Sequence, residues 1–102
     1  MTPFSFPVRV YYEDTDRGGV VYYANYLRFF ERARTEWLRS LGVNQERLAS
    51  ETGTGFVVSR AEIDFRIAAR LDDLLAVTVL PLEKKRTYLW LAQEARLADG
   101  RV

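Results

Sequence analysis

Tyr26-Leu27-Arg28-Phe29-Phe30-Glu31-Arg32-Ala33-Arg34-Thr35-Glu36-Trp37-Leu38-Arg39-Ser40-Leu41 is the stretch whose reading decides the fold. Tyr26, Phe29, Phe30, Ala33, Trp37, Leu38 and Leu41 recur at helical spacing. Arg28, Glu31, Arg32, Glu36 and Arg39 fall largely on the opposite side. Gly42 follows as a natural C-terminal cap. At about 1.5 Å per residue the helix is a rod of roughly 24 Å, with an apolar stripe broad enough to lie across a sheet. Its start is set either by Asn25, whose side chain can cap it, or by a short helical turn nearer Tyr22.

On both sides of this rod the period changes from 3.6 to 2. Upstream, Val8, Val10 and Tyr12 alternate with Arg9, Tyr11 and Glu13, which predicts a half-buried strand starting just after Pro7. Asp14 to Gly19 reads as a loop. Downstream, Asn44 to Ser50 suits a short second helix, and Gly53 and Gly55 break the pattern. Val57, Ser59, Ala61, Ile63 and Phe65 then alternate with Val58, Arg60, Glu62, Asp64 and Arg66, as in a long strand with one wet face. Leu75, Val77 and Val79 begin another strand, which Pro81 limits or bends. Residues Arg86 to Leu97 form a further strand, and Asp99-Gly100 signals a hairpin. This order predicts one α+β domain over residues 1–102, with the long helix packed on one face of an antiparallel sheet.

Composition narrows the chemistry. The chain has 102 residues, 48% of them apolar, enough for one core that removes somewhat over 60% of the unfolded surface from water. Fifteen basic and fourteen acidic side chains leave a formal net charge of +1, which is no nucleic-acid footprint. Cysteine and histidine are both absent, so thiolate zinc sites are excluded and any chemistry falls to carboxylates, hydroxyls and backbone groups. The first residues, Met1-Thr2-Pro3-Phe4-Ser5-Phe6, contain no basic segment or long apolar run, so no signal peptide or membrane span is expected and the cytoplasm is the default.

Between the first strand and the helix lies Tyr12-Glu13-Asp14-Thr15-Asp16-Arg17-Gly18-Gly19-Val20-Val21-Tyr22-Tyr23-Ala24-Asn25-Tyr26. It sets a carboxylate, Asp16, beside a Gly-Gly turn and beside the unpaired amides of a helix start. A carboxylate can attack an acyl carbon or deprotonate a water that does. Helix-start amides can receive the resulting oxyanion. Tyr22, Tyr23 and Tyr26 supply apolar walls, and partial burial among them would make Asp16 a stronger base. The plainer reading is that Asp16 caps backbone amides in a turn. A calcium loop is disfavoured: Asp14 and Asp16 have the spacing of its first two ligands, but Gly18 and Asn25 stand where further ligands belong.

The ordered run Val10 to Asp16, with Gly18 to Tyr22, Ala24-Asn25-Tyr26, Phe30-Glu31-Arg32-Ala33-Arg34 and Arg70-Leu71-Asp72-Asp73, resembles acyl-CoA thioesterases of the hotdog fold. In particular it resembles the branch related to 4-hydroxybenzoyl-CoA thioesterase and encoded with the bacterial Tol-Pal envelope system. The resemblance covers nearly the whole chain. It implies that Asp16 is the nucleophile or general base and that the backbone N–H of Tyr23 polarises the thioester carbonyl. It further implies that Gly18 and Gly19 shape the turn, that Asp14 holds the loop, and that Tyr26 and Glu31 support the site; for Glu31 a plain surface charge is the equal alternative. The implied substrate is an acyl-CoA, hydrolysed without a cofactor by a homodimer or homotetramer, with a functional link to the Tol-Pal system. Arg60, Arg66 and Arg70 are the basic groups near strand ends that could meet coenzyme A phosphates.

Two departures qualify the resemblance. That branch commonly has His where this chain has Tyr23, a poor general base. Family chains also run longer, and their last strand returns from the Asp99-Gly100 hairpin into the sheet beside the strand that follows the helix. The expectation is therefore a hotdog domain short at its C-terminal end. The alternative function is a non-catalytic hotdog module that binds an acyl thioester or a partner protein.

Overall fold

The computed structural model describes residues 3–52, 56, 58–85 and 88–102. Its elements are β1 (Phe4–Arg9), a 3-10 turn (Tyr12–Asp14), α1 (Asn25–Ser40), α2 (Gln45–Thr52), β2 (Leu74–Lys84), β3 (Leu89–Ala92) and β4 (Ala95–Arg96). All strand pairings are antiparallel. β2 is the spine of the sheet: β1 pairs along one side of it, and β3 and β4 pair with it along the other.

The long helix forms where its stripe predicts, one residue early at each end. Phe29 and Ala33 are fully buried and Leu38 nearly so. Phe29 and Ala33 close over Leu75, Val77 and Val79 of β2 and over Val8 of β1. Tyr26, Phe30 and Trp37 border this core and are only partly buried, while Leu41 lies outside it, 62% exposed. Gly42 ends the helix as expected. Its φ of +87° lets its own N–H donate to the Arg39 carbonyl, and Val43 N–H donates to the Leu38 carbonyl. Asn44 Oδ1 accepts the Arg47 N–H and so caps α2.

The helix is also fastened to the far side of the sheet by polar groups. Arg34 Nη1 donates to Gln93 Oε1 at 2.9 Å, and Gln93 Nε2 donates to the Phe30 carbonyl at 3.0 Å. Partial burial lowers the Arg34 pKa from its usual value, an effect offset in part by Glu31.

Three strands differ from expectation. β1 begins at Phe4 and contains Pro7, opposite Ala76; as an edge strand it tolerates a residue without an N–H. It ends at Arg9, so Tyr12 points to solvent and not to the core. Pro81 does not end β2. The strand continues to Lys84 across a register shift between Pro81 and Glu83. The strand expected over Arg86 to Leu97 is divided into β3 and β4. At the break Thr78 N–H donates to the Glu94 carbonyl at 2.8 Å, and Thr78 Oγ1 accepts the Glu94 N–H at 3.1 Å.

The largest correction concerns the alternating run after the second helix. Residues 58–66 form no strand and are exposed throughout. Alternation specifies one wet and one dry face, but a strand also needs a neighbour to complete its ladder, and none of the described residues supplies one. Gly53, Gly55, Val57, Arg86 and the proposed strand residue Thr87 lie outside the described residues. The Asp99-Gly100 turn does form. Gly100 has φ +90° and donates its N–H to the Leu97 carbonyl, and Leu97 N–H donates to the Arg101 carbonyl at 2.7 Å.

Burial separates the two large helix residues. Phe29→Ala should cost about 3–5 kcal/mol of folding stability. Trp37→Ala, removing a ring that is only half-buried, should cost about 1–2 kcal/mol. Equilibrium denaturant unfolding of both variants checks this order; a Trp37 loss equal to that of Phe29 would contradict the packing described.

Candidate functional site

A small hairpin joins β1 to α1, and Asp16 sits at its tip. Thr15 bridges Val21, Asp16 N–H donates to the Val20 carbonyl at 2.9 Å, and Gly19 N–H donates to the Asp16 carbonyl at 3.0 Å. Gly19 takes φ +76°, the left-handed conformation that a side chain would strain. Gly18 contributes differently, through a close approach to Asp16. Its N–H donates to Asp16 Oδ1 at 2.8 Å, and a Cβ on it would stand 3.3 Å from that oxygen. One carboxylate oxygen of Asp16 is thus held by the turn. The side chain is exposed and is not sunk among the tyrosines as the sequence suggested.

The base of the hairpin is held by Asp14, which is 8% exposed. Its Oδ2 accepts the Tyr11 N–H at 2.8 Å. Its carbonyl accepts both the Tyr22 N–H at 2.9 Å and Asn25 Nδ2 at 3.0 Å. Asn25 is therefore not the helix cap that its residue type suggests; it is the first helical residue, and its amide braces the hairpin. The cap position is Ala24, which makes no side-chain bond.

That substitution matters for the helix start. Asn25, Tyr26 and Leu27 donate their N–H groups to the carbonyls of Tyr22, Tyr23 and Ala24. The N–H groups of Tyr23 and Ala24 have no acceptor among the described residues. They lie just ahead of the first helical residue, where backbone N–H groups have no intrahelical partner. Two free amides and one exposed carboxylate consequently share the short segment from Asp16 to Ala24.

The aromatic residues surround this segment. Tyr26 accepts the Ala69 N–H on its hydroxyl at 3.0 Å, and its ring stands edge-on to Phe29 at 5.9 Å. Tyr22 and Tyr23 have ring centroids 4.9 Å apart. The Tyr22 pKa is raised from its ordinary value of 10.0, chiefly by its interaction with the Tyr23 hydroxyl, so Tyr22 stays protonated near neutrality. Phe65 completes the group, 5.8 Å from Tyr23 and 6.0 Å from Tyr26. Sequence reasoning placed Phe65 in a strand and missed this role; its position on the same alternating face as Ile63 was the available signal.

Other expected site residues lie apart. Glu31 accepts the Thr35 hydroxyl at 2.9 Å on the exposed helix surface, and no described hydrogen bond links it to the Asp16 hairpin. Arg60 pairs with Glu62 at 2.9 Å and lies 5.8 Å over the Trp90 ring, and Arg66 approaches Asp64 at 3.8 Å. Arg70 is bridged to Val20 through the backbone, so it is the arginine tied to the hairpin. With Asp73, Leu74, Leu97 and Arg101 it lines an open cavity of about 580 Å³.

Residues 18–102 match the family model of the thioesterase superfamily. Among relatives, acyl-CoA thioesterase YbgC of Haemophilus influenzae is 65% identical over 74 residues, which are 72% of this chain and 54% of that protein. Against this relative the match spans only about half its length. Acyl-CoA thioester hydrolase YbgC of Escherichia coli O6:H1 is 53% identical over 99 residues, covering 97% of this chain and 73% of the relative. Among solved structures, a probable thioesterase from Bartonella henselae superposes with a TM-score of 0.92 at 37% identity, over 97% of this chain and 82% of that one.

The two acidic residues of the hairpin should separate on substitution. Asp14→Ala removes a buried acceptor and should cost about 1–3 kcal/mol of stability. Asp16→Asn, at an exposed position, should stay within about 0.5 kcal/mol. Thermal and denaturant unfolding of the pair measures the difference.

Proposed function

The chain belongs to the thioesterase superfamily and has its hotdog architecture, and on that footing we propose that it hydrolyses an acyl-CoA thioester at Asp16. The products are a free acid and coenzyme A, and water is the second substrate. The observation that carries the assignment is that one short segment holds both an exposed carboxylate, steadied at Oδ1 by Gly18, and the N–H groups of Tyr23 and Ala24, unsatisfied among the described residues. The names of the relatives from Haemophilus influenzae and Escherichia coli point to the same reaction.

The thioester carbonyl oxygen accepts from Tyr23 N–H, and Ala24 N–H offers a second donor. As charge develops on that oxygen these fixed dipoles stabilise it, at no cost of reorganisation. Asp16 then works in one of two ways. It attacks the carbonyl carbon, expelling the coenzyme A thiolate and leaving an acyl anhydride that water opens. Alternatively it takes a proton from the water that attacks, and the same thiolate leaves. Both routes need the ionised carboxylate, and neither uses the Tyr23 phenol as a base. Gly18 and Gly19 hold the turn, and Tyr26 anchors the helix start against Ala69. Arg70 and Arg101, which line the open cavity, are basic groups available to a coenzyme A phosphate.

The active protein is a cytoplasmic homodimer or homotetramer in this reading. Support comes from the exposed apolar groups Phe56, Val58 and Ile63 on a segment that no described strand covers. No described helix is long and apolar enough to cross a membrane. Light scattering at micromolar concentration should give a mass at least twice that of the 11.9 kDa chain; a stable species of single-chain mass would refute the assembly.

Thiol release measured over a series of acyl-CoA lengths tests the chemistry. Asp16→Asn should lower the rate by about 10²-fold or more, near 2.7 kcal/mol of transition-state stabilisation. Tyr23→Phe retains the ring and the backbone N–H and should stay within about tenfold of the parent. Equal rates for the parent and Asp16→Asn would remove Asp16 from the mechanism.

A further inference from the structure

Phe65 is out of place for a core residue. It is 54% exposed, on a stretch that joins no ladder. Yet it is held by two ring contacts, to Tyr23 edge-on and to Tyr26. Tyr26 is itself fixed by the Ala69 N–H and by Phe29, so Phe65 rests on a rigid support. Tyr23 and Tyr22 continue the apolar surface and are 60% and 46% exposed. The Tyr23 ring belongs to the residue whose N–H is free, so this surface begins at the reacting carbonyl.

We propose that Phe65, with the Tyr23 ring, is the specificity-determining wall against which the acyl group of the thioester packs, selecting apolar acyl groups larger than acetyl. The inference rests on the thioesterase reading of Asp16. The occupant follows from continuity: a carbonyl polarised at Tyr23 N–H places its substituent next to the Tyr23 ring, and Phe65 is the next apolar surface. Acetyl is too short to span from one ring to the other, whereas a six-carbon chain or a benzoyl ring gains contact with both. Apolar pockets discriminate by such added contact at roughly 10–200-fold.

The test compares kcat/KM for acetyl-, hexanoyl- and benzoyl-CoA in the parent, Phe65→Ala, Phe65→Leu and Leu41→Ala. Leu41 is an exposed apolar residue beyond the far end of α1 and serves as the control. Phe65→Ala should reduce the hexanoyl-to-acetyl and benzoyl-to-acetyl ratios by about tenfold or more. Phe65→Leu should recover most of the hexanoyl ratio, and Leu41→Ala should leave both ratios alone. Unchanged ratios in a folded, active Phe65→Ala protein overturn the inference while leaving the thioesterase reading intact. So does a variant whose association state falls while its ratios hold, since Phe65 is then a subunit contact. A parent that hydrolyses none of the three sinks the thioesterase reading, and calorimetric binding then decides the wall. Hexanoyl-CoA bound more tightly than coenzyme A, with the difference lost in Phe65→Ala, supports it as a recognition surface; no such difference overturns it.

Discussion

Asp14 is the constraint on which the arrangement depends. Its carboxylate holds the end of β1 through Tyr11 N–H, and its carbonyl holds the start of α1 through Tyr22 N–H and the Asn25 amide. Three residues that would otherwise belong to separate elements, Tyr11, Tyr22 and Asn25, are therefore referred to one buried group. With both ends pinned, the hairpin between them has few conformations left, and Asp16 and the helix-start amides keep a fixed relation. An acceptor buried this deeply has little access to water, so each of its bonds counts toward stability. Recruiting Asn25 to Asp14 has a second effect. It makes Asn25 the first helical residue and leaves the cap position to Ala24, which makes no side-chain bond.

The body of the long helix was legible in the sequence, because seven apolar side chains at helical spacing admit one period. Its C-terminus was equally plain, since Gly42 supplies a conformation that few other residues tolerate. Its N-terminus was not, because Asn25 has two possible partners and residue type cannot choose between the helix amides and a carbonyl eleven positions back. The motif around Asp16 could be read as chemistry from the sequence. The resemblance assigned Asp14 to the loop and Asp16 to the chemistry; what residue type could not show was burial, because two identical residues two positions apart differ only once the fold buries Asp14 and exposes Asp16.

The run from residue 58 to residue 66 shows the reverse case, a clear local pattern without the structure it encodes. A period of two fixes which side chains would face inward, yet a strand forms through hydrogen bonds to a neighbour, which is a non-local condition. Where β1, β2, β3 and β4 have partners, the alternation became strands; here it became exposed chain carrying Phe65 to the tyrosines. The same distinction explains Pro81. As a residue it reads as a limit or a bend, but β3 pairs with β2 across it and the ladder absorbs it in a shift of register.

The bond from Gly18 N–H to Asp16 Oδ1 couples charge to shape. A charged carboxylate accepts a hydrogen bond roughly twice as strongly as a neutral acceptor. Charge on Asp16 therefore tightens the turn, and the neutral amide of Asp16→Asn would hold it less firmly. In this hairpin the carboxylate proposed to react is also the group that shapes the loop presenting it.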